Sequence, residues 1–371
     1  MRSYDAIVVG AGPAGATTAY RLAVAGASVL LVDKARFPRD KPCGGGLTLR
    51  AARLLPFSVE PVVEDVAHRF EIRLDYGSTF VRGSKAPLCL MTQRRRLDEF
   101  LARKAAAAGA EFRDGVSVAF DDGDALVDGE RVQARAIVGA DGVNGITARS
   151  FGLDRDHGHG VALEGNAPLE AHYRGKLVLE LGVVPGGYAW VFPKGDHANF
   201  GVGGWESEGP RLRDHLRRLC AEHAVDYAAL TDLRGYRLPY RKSTSSLARD
   251  NVLLVGDAAG LVDPLTGDGM YEAFVSGKLA AEAILAGELS TYESRVLAEL
   301  RALHSSSWSA KHALDRFPRL TFGIARLPFA WPVIARIVRG DLKDPGKARG
   351  LSRAPLKALD RLGKLAAPAR G

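Results

Sequence analysis

The sequence predicts an α/β protein in which a parallel sheet with flanking helices carries an inserted β-rich domain and is followed by a helical C-terminal region. Short apolar runs at 4–9, 28–32, 134–140 and 251–255 are each followed by glycine or an acid, which is typical of buried parallel strands. Residues 66–90 and much of 161–245 show the pattern of antiparallel strands. We therefore divide the chain into a discontinuous first domain (1–65, 91–160 and 246–290), a β-rich domain (66–90 and 161–245) and a helical region (291–371).

The composition is that of a globular protein, since 46% of the 371 residues are hydrophobic and 25% are charged. The formal charge is +8, but much of the excess lies at the end of the chain and not over a nucleic-acid module, so no nucleic-acid partner is predicted. Three cysteines, at 43, 89 and 220, have neither metal nor disulfide spacing. Without a signal-like start or an apolar run of about 18 residues, we expect a cytoplasmic protein with no metal site.

The strongest motif is a G-x-G-x-x-G turn that follows the first strand and opens a helix. Its middle glycine lets a pyrophosphate approach the backbone, and the phosphates then lie at the free N–H groups of the helix. An acid at the end of the next strand is placed to bind ribose hydroxyls. The pattern predicts a Rossmann-like domain that binds the ADP half of a dinucleotide, either NAD or FAD. The predicted contacts are Gly10, Gly12, Pro13, Ala14, Gly15, Asp33 and Lys34.

Two further strand ends carry glycine and acid, namely Asp141-Gly142 and Gly256-Asp257. The second is followed by a loop that leads into a helix at 270–286, whose first N–H groups could stabilise negative charge on a reduced flavin. Asp257 is expected to accept a hydrogen bond from a ribityl hydroxyl. Three such strand ends exceed what the ADP half of one NAD requires. The predicted contacts of this loop are Pro264, Gly267, Asp268, Gly269 and Met270.

The loop 37–47 contains two prolines, basic residues and three successive glycines, so it is predicted to be neither helix nor regular strand. Its glycines let the backbone approach a flat or anionic group. Cys43 precedes them and is ambiguous, because a buried structural thiol is the commoner role of cysteine. Arg94 opens the helix that ends near 108, where a positive charge is unusual; it either binds a phosphate or is solvated surface charge.

A period of two places Tyr188, Trp190 and Phe192 on one face of a predicted strand. Such a face is either plain core or the wall of a ligand cavity. Gly201 and Gly203 also share a face, and we expect their missing side chains to leave room for a bulky apolar guest.

Together the three glycine–acid strand ends resemble the FAD signatures of the flavoprotein hydroxylase fold. Within that group, the segments 41–47, 188–203 and 263–269 are similar to the geranylgeranyl reductase family. Its members use reduced FAD to saturate isoprenoid double bonds on lipids, quinone tails or chlorophyll precursors. Two positions depart from the family pattern: Gly145 replaces a common serine, and Asp268 replaces the usual glutamate. Neither departure is expected to abolish FAD binding.

The resemblance implies roles for several residues. Arg94 would lie near the FAD pyrophosphate, and Cys43, Gly44 and Gly45 would lie beside the flavin ring. Tyr188 and Trp190 would line the substrate cavity, so Cys43, Tyr188 and Trp190 form the predicted catalytic set.

The predicted function is the reduction of a prenyl C=C bond by hydride from reduced flavin, with a proton from Cys43, a tyrosine or water. The electron donor is left open among NAD(P)H, ferredoxin and a quinol. The alternatives are a flavin monooxygenase or halogenase on the same fold, and a non-catalytic FAD electron carrier.

The segment 320–338 is apolar, but Pro328 and Pro332 are incompatible with a regular spanning helix. From 339 to 371 the chain carries nine lysines and arginines against three acids. This pairing indicates either a capping subdomain with a solvated basic end or a peripheral anchor on anionic lipid at the inner face of the membrane. The predicted partners are therefore a hydrophobic prenylated substrate and, in the second case, a membrane surface.

Overall fold

The computed structural model describes residues 2–153, 157–241, 245–342 and 344–367. The strands are β1 Arg2–Val9, β2 Val29–Asp33, β3 Gly46–Thr48, β4 Val63–Ala67, β5 Arg69–Leu74, β6 Ser78–Gly83, β7 Cys89–Thr92, β8 Glu111–Asp114, β9 Val118–Asp121, β10 Asp124–Val127, β11 Glu130–Gly139, β12 His157–Pro168, β13 Lys176–Leu181, β14 Tyr188–Pro193, β15 His197–Trp205, β16 Thr231–Arg241, β17 Ala248–Arg249 and β18 Val252–Leu254. The α-helices are α1 Pro13–Val24, α2 Leu49–Ala52, α3 Arg94–Ala107, α4 Thr147–Ser150, α5 Leu212–Glu222, α6 Met270–Ala286, α7 Tyr292–Arg316, α8 Pro318–Arg326, α9 Trp331–Arg339 and α10 Arg353–Ala366.

The first sheet has the order β17-β18-β11-β1-β2-β8, and the five strands from β18 to β8 are parallel. Its central strands are rich in alanine, valine, isoleucine and leucine that are buried on both faces, as a parallel sheet covered by helices requires. The four predicted apolar runs are thus confirmed as neighbours in one sheet. The hairpins between β9, β10 and β11 turn at Asp122-Gly123 and Asp128-Gly129, where all four residues have positive φ.

Helices α1 and α6 pack closely against each other beside this sheet. A Cβ at Gly277 would lie 2.7 Å from the backbone oxygen of Ala14, so a larger residue would separate the two helices. Thr18 Oγ1 donates to the carbonyls of both Ala14 and Gly277. Because α1 begins at the glycine turn and α6 begins at the loop 263–269, this contact sets the relative position of the two helix starts.

The second sheet has the order β16-β12-β15-β14-β13-β5-β6 and takes strands from two separate segments of the chain. Its pairs are antiparallel, as predicted, except that β13 and β5 are parallel. No hairpin joins those two strands, so their direction is not constrained by a turn. Helix α5 covers one face of the sheet with Leu212, Leu216 and Leu219.

A small third sheet, β3-β7-β4, lies between the loop 37–47 and the start of α3. Because this loop contains Cys43, it is called the cysteine loop. Gly46 and Leu47 belong to β3, so the prediction that the loop 37–47 contains no regular strand is wrong at its end. The strand forms because its backbone groups pair with β7, and because glycine at 46 accommodates Cys89 Sγ, which a Cβ would approach to 3.1 Å. Such long-range pairing leaves no local signal in the sequence.

Helices α7–α10 form the C-terminal region. Among the described residues no single helix is long and apolar enough to cross a membrane; α8 and α9 pass that composition test only as a pair, and they are bent by 91°. Helix α10 packs along α7, where a Cβ at Gly363 would lie 2.1 Å from the backbone oxygen of Ser309. Helix α10, which carries four of the lysines and arginines of this basic segment, is therefore docked on α7.

Candidate active site

The glycine turn between β1 and α1 is shaped for an anion. Gly10 has a φ of +106°, and a Cβ there would lie 2.3 Å from the oxygen of Ala140. A Cβ at Gly15 would lie 1.9 Å from the oxygen of Gly10, so both glycines are required by packing. Gly12 differs, because a Cβ there would first meet Arg39 Nη2 at 3.4 Å. Helix α1 starts at Pro13 without a side-chain cap, which leaves its N-terminal N–H groups for a ligand.

Asp33 ends β2 and is buried beside this turn. Its Oδ2 accepts from the N–H of Ala11 at 2.8 Å, and its Oδ1 accepts from the N–H of Ala35 at 2.9 Å. Each carboxylate oxygen can accept a second hydrogen bond, so the group is held in place and still suits a ribose hydroxyl. The neighbouring side chain of Lys34 is exposed.

Two arginines share one buried carboxylate near Gly12. Arg94 binds Asp98 through Nε to Oδ1 and Nη2 to Oδ2, both at 2.7 Å, and Arg39 Nη1 lies 2.8 Å from Asp98 Oδ2. Burial alone would lower the pKa of Arg94, but the charge and hydrogen bonds of Asp98 raise it above its ordinary value. Arg39 Nη2 also lies 3.9 Å from Asp33 Oδ2, so the two arginines face two buried carboxylates. Each guanidinium has five N–H donors, so donors remain for a pyrophosphate. Arg94 is buried, so its interpretation as solvated surface charge is wrong.

Asp257, the predicted ribityl acceptor, forms an ion pair with Lys41 at 2.8 Å and accepts from the hydroxyl of Tyr236 at 3.1 Å. The Lys41 ammonium also lies 4.4 Å from the centre of the Tyr236 ring. Burial opposes ionisation of Asp257, but Lys41 lowers the pKa of this carboxyl below its ordinary value. The sequence indicates the charge of Lys41 but contains no signal for Tyr236, which comes from the second sheet. The ribityl role of Asp257 stays a prediction.

Asp141 explains one departure from the family pattern. Its Oδ2 accepts from the N–H groups of Ile146 and Thr147 and from the Thr147 hydroxyl, which bends the side chain over residue 145. A Cβ at Gly145 would lie 2.1 Å from Asp141 Cγ, so glycine makes room for this carboxylate. Oδ1 of Asp141 is buried and has no hydrogen-bond partner among the described residues. Gly142 follows with a φ of +73°.

The loop 263–269 is braced from within. Asp263 Oδ1 accepts from the N–H groups of Leu265 and Thr266, and its Oδ2 accepts from Ser307 Oγ at 2.5 Å. Asp268 Oδ1 accepts from the N–H of Met270 at 2.8 Å, so this N–H, predicted to face a flavin, is capped by a side chain. Burial raises the pKa of Asp268, whose Oδ2 lacks a partner within the described chain. Gly267 has a positive φ, and Pro264 and Gly269 complete the loop.

Two carboxylates and one imidazole lie close together behind this loop. Atoms of Asp263, Glu272 and His304 that could bind a metal ion lie within 4.8 Å of one another. Asp263 is already engaged by the loop and by Ser307. The remaining pair is Glu272, which is fully buried, and His304, whose Nε2 lies 3.5 Å from Glu272 Oε1. Burial raises the pKa of Glu272 to about 7. We therefore treat the cluster as a loop brace beside a buried acid–histidine pair.

Side chains of strand β14 contact both loops that are predicted to face the flavin ring, the cysteine loop and the loop 263–269. At one end, a Cβ on Gly44 would lie 2.8 Å from Phe192 Cδ2 and 3.4 Å from Trp190 Nε1. At the other end, the Tyr188 hydroxyl donates to the backbone oxygen of Thr266. The predicted aromatic face thus lies directly against the glycine-rich cysteine loop.

The space beside Gly201 is occupied by Trp190. A Cβ at Gly201 would lie 2.0 Å from Trp190 Cζ2, whereas one at Gly203 would have ordinary contacts of 3.4 Å or more. The expectation that Gly201 leaves room for an apolar guest is therefore wrong, because the indole ring of the neighbouring strand fills that room.

Cys43 is half-buried, whereas Cys89 and Cys220 are buried. Its Sγ accepts from the N–H of Gly45 at 3.4 Å. Its own N–H donates to Glu164 Oε1 at 2.7 Å, and its carbonyl accepts from Lys194 Nζ at 2.7 Å. Sequence reasoning missed Glu164 and Lys194, since Glu164 lies on β12 and Lys194 directly follows β14, both far from Cys43 in the chain.

These features fit FAD. The open face of Gly12, the uncapped start of α1 and the remaining N–H donors of Arg39 and Arg94 suit a pyrophosphate. The buried and unpartnered Oδ1 of Asp141 and Oδ2 of Asp268 can accept from hydroxyl or ring N–H groups. The fold and the site together define a dinucleotide-binding flavoprotein oxidoreductase.

Comparison with known proteins gives the family. Residues 3–275 match the FAD binding domain family, so the chain belongs to it, and its cofactor is FAD. It is 32% identical to a menaquinone reductase of Mycobacterium tuberculosis, over 90% of this chain and 88% of that protein. It is 31% identical to a digeranylgeranylglycerophospholipid reductase of Methanopyrus kandleri, over 75% and 76% of the two chains.

Solved structures agree on the fold. A geranylgeranyl bacteriochlorophyll reductase-like protein of Thermoplasma acidophilum superposes with a TM-score of 0.80 at 24% identity, over 98% of this chain and 100% of that one. A flavin-dependent brominase superposes with a TM-score of 0.72 at 18% identity, over 97% and 99%. The resemblance to geranylgeranyl reductases and their flavoprotein hydroxylase fold is confirmed, and that fold is shared with enzymes of other chemistry.

Proposed function

We propose that the protein is an FAD-dependent reductase that saturates C=C bonds of an isoprenoid chain on a lipid or quinone. The observation that carries this proposal is the position of Cys43. Its half-buried thiol lies in a glycine-rich loop packed on the aromatic face of Trp190 and Phe192. A proton-bearing group beside an apolar wall suits an apolar alkene. The names of the reductases to which the chain is similar support the same substrate class.

Saturating an alkene adds one hydrogen as hydride and one as a proton. When bound in its reduced form, FAD would supply the hydride, which carries both electrons of the reduction. The protein must hold the proton for the other carbon, and Cys43 Sγ–H is the group that we assign to this role.

Tyr188 is the other candidate proton donor, and its surroundings make it less suitable. Its hydroxyl is already committed to the backbone oxygen of Thr266. Burial and the charge of Asp268 raise the pKa of this phenol above its ordinary value, which makes loss of its proton harder. We therefore assign Tyr188 to closing the space between β14 and the loop 263–269, and Trp190 to the apolar wall.

The test is anaerobic incubation of the dithionite-reduced protein with a prenylated menaquinone and with a geranylgeranylated glycerophospholipid. Mass spectrometry should detect products heavier by pairs of hydrogens. Cys43→Ala should retain FAD and reduce the turnover rate about 100-fold, within the usual range for loss of a general acid. Cys220→Ala, which removes a buried thiol from α5, is the matched control and should turn over normally.

Two outcomes would contradict the proposal. Wild-type turnover by Cys43→Ala would show that the thiol is structural and that another group supplies the proton. A product that requires oxygen or halide, with none formed anaerobically, would instead assign the protein to the monooxygenase or halogenase chemistry found on the same fold.

We further propose that the region around α8 and α9 contacts an anionic membrane, where a prenylated substrate resides. Leu320, Leu327 and Phe329 are exposed there, with relative exposures of 52%, 38% and 37%. Arg319 and Arg326 belong to α8, and the basic helix α10 packs on both α7 and α8. Exposed apolar side chains beside basic ones are typical of interfacial binding.

Deleting 339–371 would strip α10 from α7, so a point variant is the sharper test of membrane contact. The double variant Leu327→Ser/Phe329→Ser should lower co-sedimentation with phosphatidylserine-containing vesicles while FAD content stays the same. Leu233→Ser, which changes an exposed leucine on β16, is the control. Binding of wild type should also weaken as salt rises. Equal binding of both variants, or of neutral and anionic vesicles, would contradict the membrane proposal.

A further inference from the structure

We propose that Glu164 and Lys194 are positioning residues that hold the backbone of Cys43 and thereby place its thiol. One side chain binds the main-chain N–H of Cys43 and the other binds its main-chain carbonyl. The N–H of Cys43 donates to Glu164 Oε1 at 2.7 Å, and Lys194 Nζ donates to the Cys43 carbonyl at 2.7 Å. Both hydrogen bonds go to the main chain of Cys43 and not to its thiol, so the two side chains act through the loop. The catalytic consequence of this inference rests on the proposed function, but the positioning does not.

Glu164 and Lys194 are both buried, which is unusual for residues with charged side chains. Glu164 is 8% exposed and Lys194 is 6% exposed. Burial raises the pKa of Glu164, and this effect is opposed by the charge of Lys194, by the Cys43 N–H and by Asn199. Removing two charges from water is costly unless their partners are well placed. A pair kept at such a cost around one loop residue is best explained by the geometry that it imposes.

The loop is also held on the other side of the thiol. Gly45 has a φ of +80°, and a Cβ there would lie 2.2 Å from the oxygen of Thr92 and 2.5 Å from Lys194 Cε. The carbonyl of Gly45 accepts from the N–H of Thr92 at 2.8 Å and from its hydroxyl at 3.1 Å. Residues 43 and 45 are therefore both restrained, and the backbone that carries the thiol has little freedom.

The same network orients the aromatic wall. Asn199 opposes the rise in the pKa of Glu164, and its Oδ1 accepts from Trp190 Nε1 at 2.8 Å. Its Nδ2 donates to Asn166 Oδ1 at 3.0 Å, which determines the orientation of the amide. The cysteine loop and the indole are thus both held by side chains of β12 and β15, together with Lys194, which follows β14. Their relative position does not depend on the parallel sheet alone.

The test uses the FAD-loaded protein and compares Glu164→Leu, Glu164→Gln and Lys194→Met. The first readout is the rate at which iodoacetamide alkylates Cys43, located by peptide mass spectrometry; the other two cysteines are buried. Glu164→Leu and Lys194→Met should each change this rate by roughly tenfold, because a displacement of about 1 Å in a positioned group has large effects on its reactions. FAD content should stay the same.

The conservative variant separates positioning from general structural damage. In Glu164→Gln the side-chain oxygen can still accept from the Cys43 N–H, so the labelling rate should return to within about threefold of wild type. The matched controls are Glu170→Gln, which changes an exposed acid after β12, and Lys176→Met, which removes a lysine of the same sheet that pairs with Glu71. Both controls should label at the wild-type rate.

Turnover gives the second readout. Glu164→Leu and Lys194→Met should lower kcat for alkene reduction about tenfold or more with a smaller change in KM, because the group that moves is the proton donor. Should Glu164→Leu fail to fold, Lys194→Met carries the same measurement.

If iodoacetamide alkylates Cys43 at the wild-type rate in both Glu164→Leu and Lys194→Met, the inference is overturned. Altered labelling in a protein whose wild type reduces no prenylated substrate would leave the positioning intact and refute the proposed function instead. The two proposals therefore fail separately.

Discussion

The two large sheets contribute to the candidate site in different ways. The parallel sheet offers the ends of its strands: glycine turns, uncapped N–H groups and the carboxylates of Asp33 and Asp141. The seven-stranded sheet offers side chains from the middle of its strands, among them Glu164, Trp190 and Asn199. The first set suits the phosphates and hydroxyls of FAD. The second set holds the cysteine loop and forms the apolar wall.

From this difference we expect cofactor binding and the proposed substrate chemistry to be separable by substitution. Groups at strand ends are positioned by local backbone geometry, so their function depends on a few neighbouring residues. Groups on β12, β14 and β15 are positioned by contacts with loops of the other sheet, over separations of more than one hundred residues, as between Cys43 and Glu164. Variants in one sheet should therefore change FAD binding, and variants in the other should change turnover while FAD stays bound.

The largest expected effect is that of Gly12→Val. The new side chain enters the open space at the turn and blocks the pyrophosphate, which removes two or more charge-assisted hydrogen bonds. At about 2 kcal/mol each, their loss weakens FAD binding on the order of a thousandfold. The measurement is FAD affinity by fluorescence titration of the deflavinated protein.

The fold itself should tolerate Gly12→Val, since the nearest atom to a Cβ at this position is the end of the Arg39 side chain. Gly209→Val, at a glycine with nothing within 4 Å of its Cβ position, is the control and should bind FAD normally. Full flavin occupancy in Gly12→Val would refute the assignment of the phosphate turn.

The next effect is a change of stability with pH. We compare two buried carboxylates that each lie near a histidine, Glu272 beside His304 and Glu180 beside His223. Glu272 has its pKa raised by burial from 4.5 to about 7. The folded protein therefore binds this proton more tightly than the unfolded chain does. The stability that the group contributes is fully present below about pH 4.5 and is lost as the pH rises through about 7, for a total of about 3 kcal/mol.

Urea unfolding of wild type and Glu272→Gln at pH 5 and pH 8 measures this contribution. Wild type should lose free energy of unfolding relative to the variant as the pH rises. Glu180 is the contrasting case, because Arg73 lies 3.1 Å and His223 lies 3.2 Å from it, so Glu180→Gln should destabilise at pH 8 by leaving Arg73 unpaired. A difference between wild type and Glu272→Gln that does not change with pH would contradict the burial argument.

The smallest expected effect is that of Gly201→Ala. The added methyl would lie 2.0 Å from Trp190 Cζ2, so the ring must shift, at a cost of about 1–3 kcal/mol in the free energy of unfolding. FAD content should not change, while KM for the prenylated substrate should rise because the apolar wall has moved. Urea unfolding and steady-state kinetics check both.

Gly203→Ala on the same strand is the matched control, because its added methyl has ordinary contacts and should be tolerated. If the two alanine variants have the same free energy of unfolding and the same KM, the packing of Trp190 against Gly201 determines neither quantity.

Local patterns were sufficient for the class of fold and for the identity of the cofactor. The glycine spacing, the acid after β2 and the start of α6 at Met270 all follow from short-range rules on turns, strand ends and helix starts. The apolar runs likewise indicate a parallel sheet, since burial on both faces requires them. These features depend on backbone conformation within a few residues, which a sequence displays directly.

The other half of the site was decided by tertiary packing. The strand β3, the ion pair of Lys41 with Asp257, the grip of Glu164 and Lys194 on Cys43, and the filling of the Gly201 space by Trp190 all join residues that are distant in the chain or lie on adjacent strands. The sequence determines which chemical groups are present. Which of them meet depends on how the two sheets pack, because hydrogen bonds and van der Waals contacts between them act only over a few ångströms.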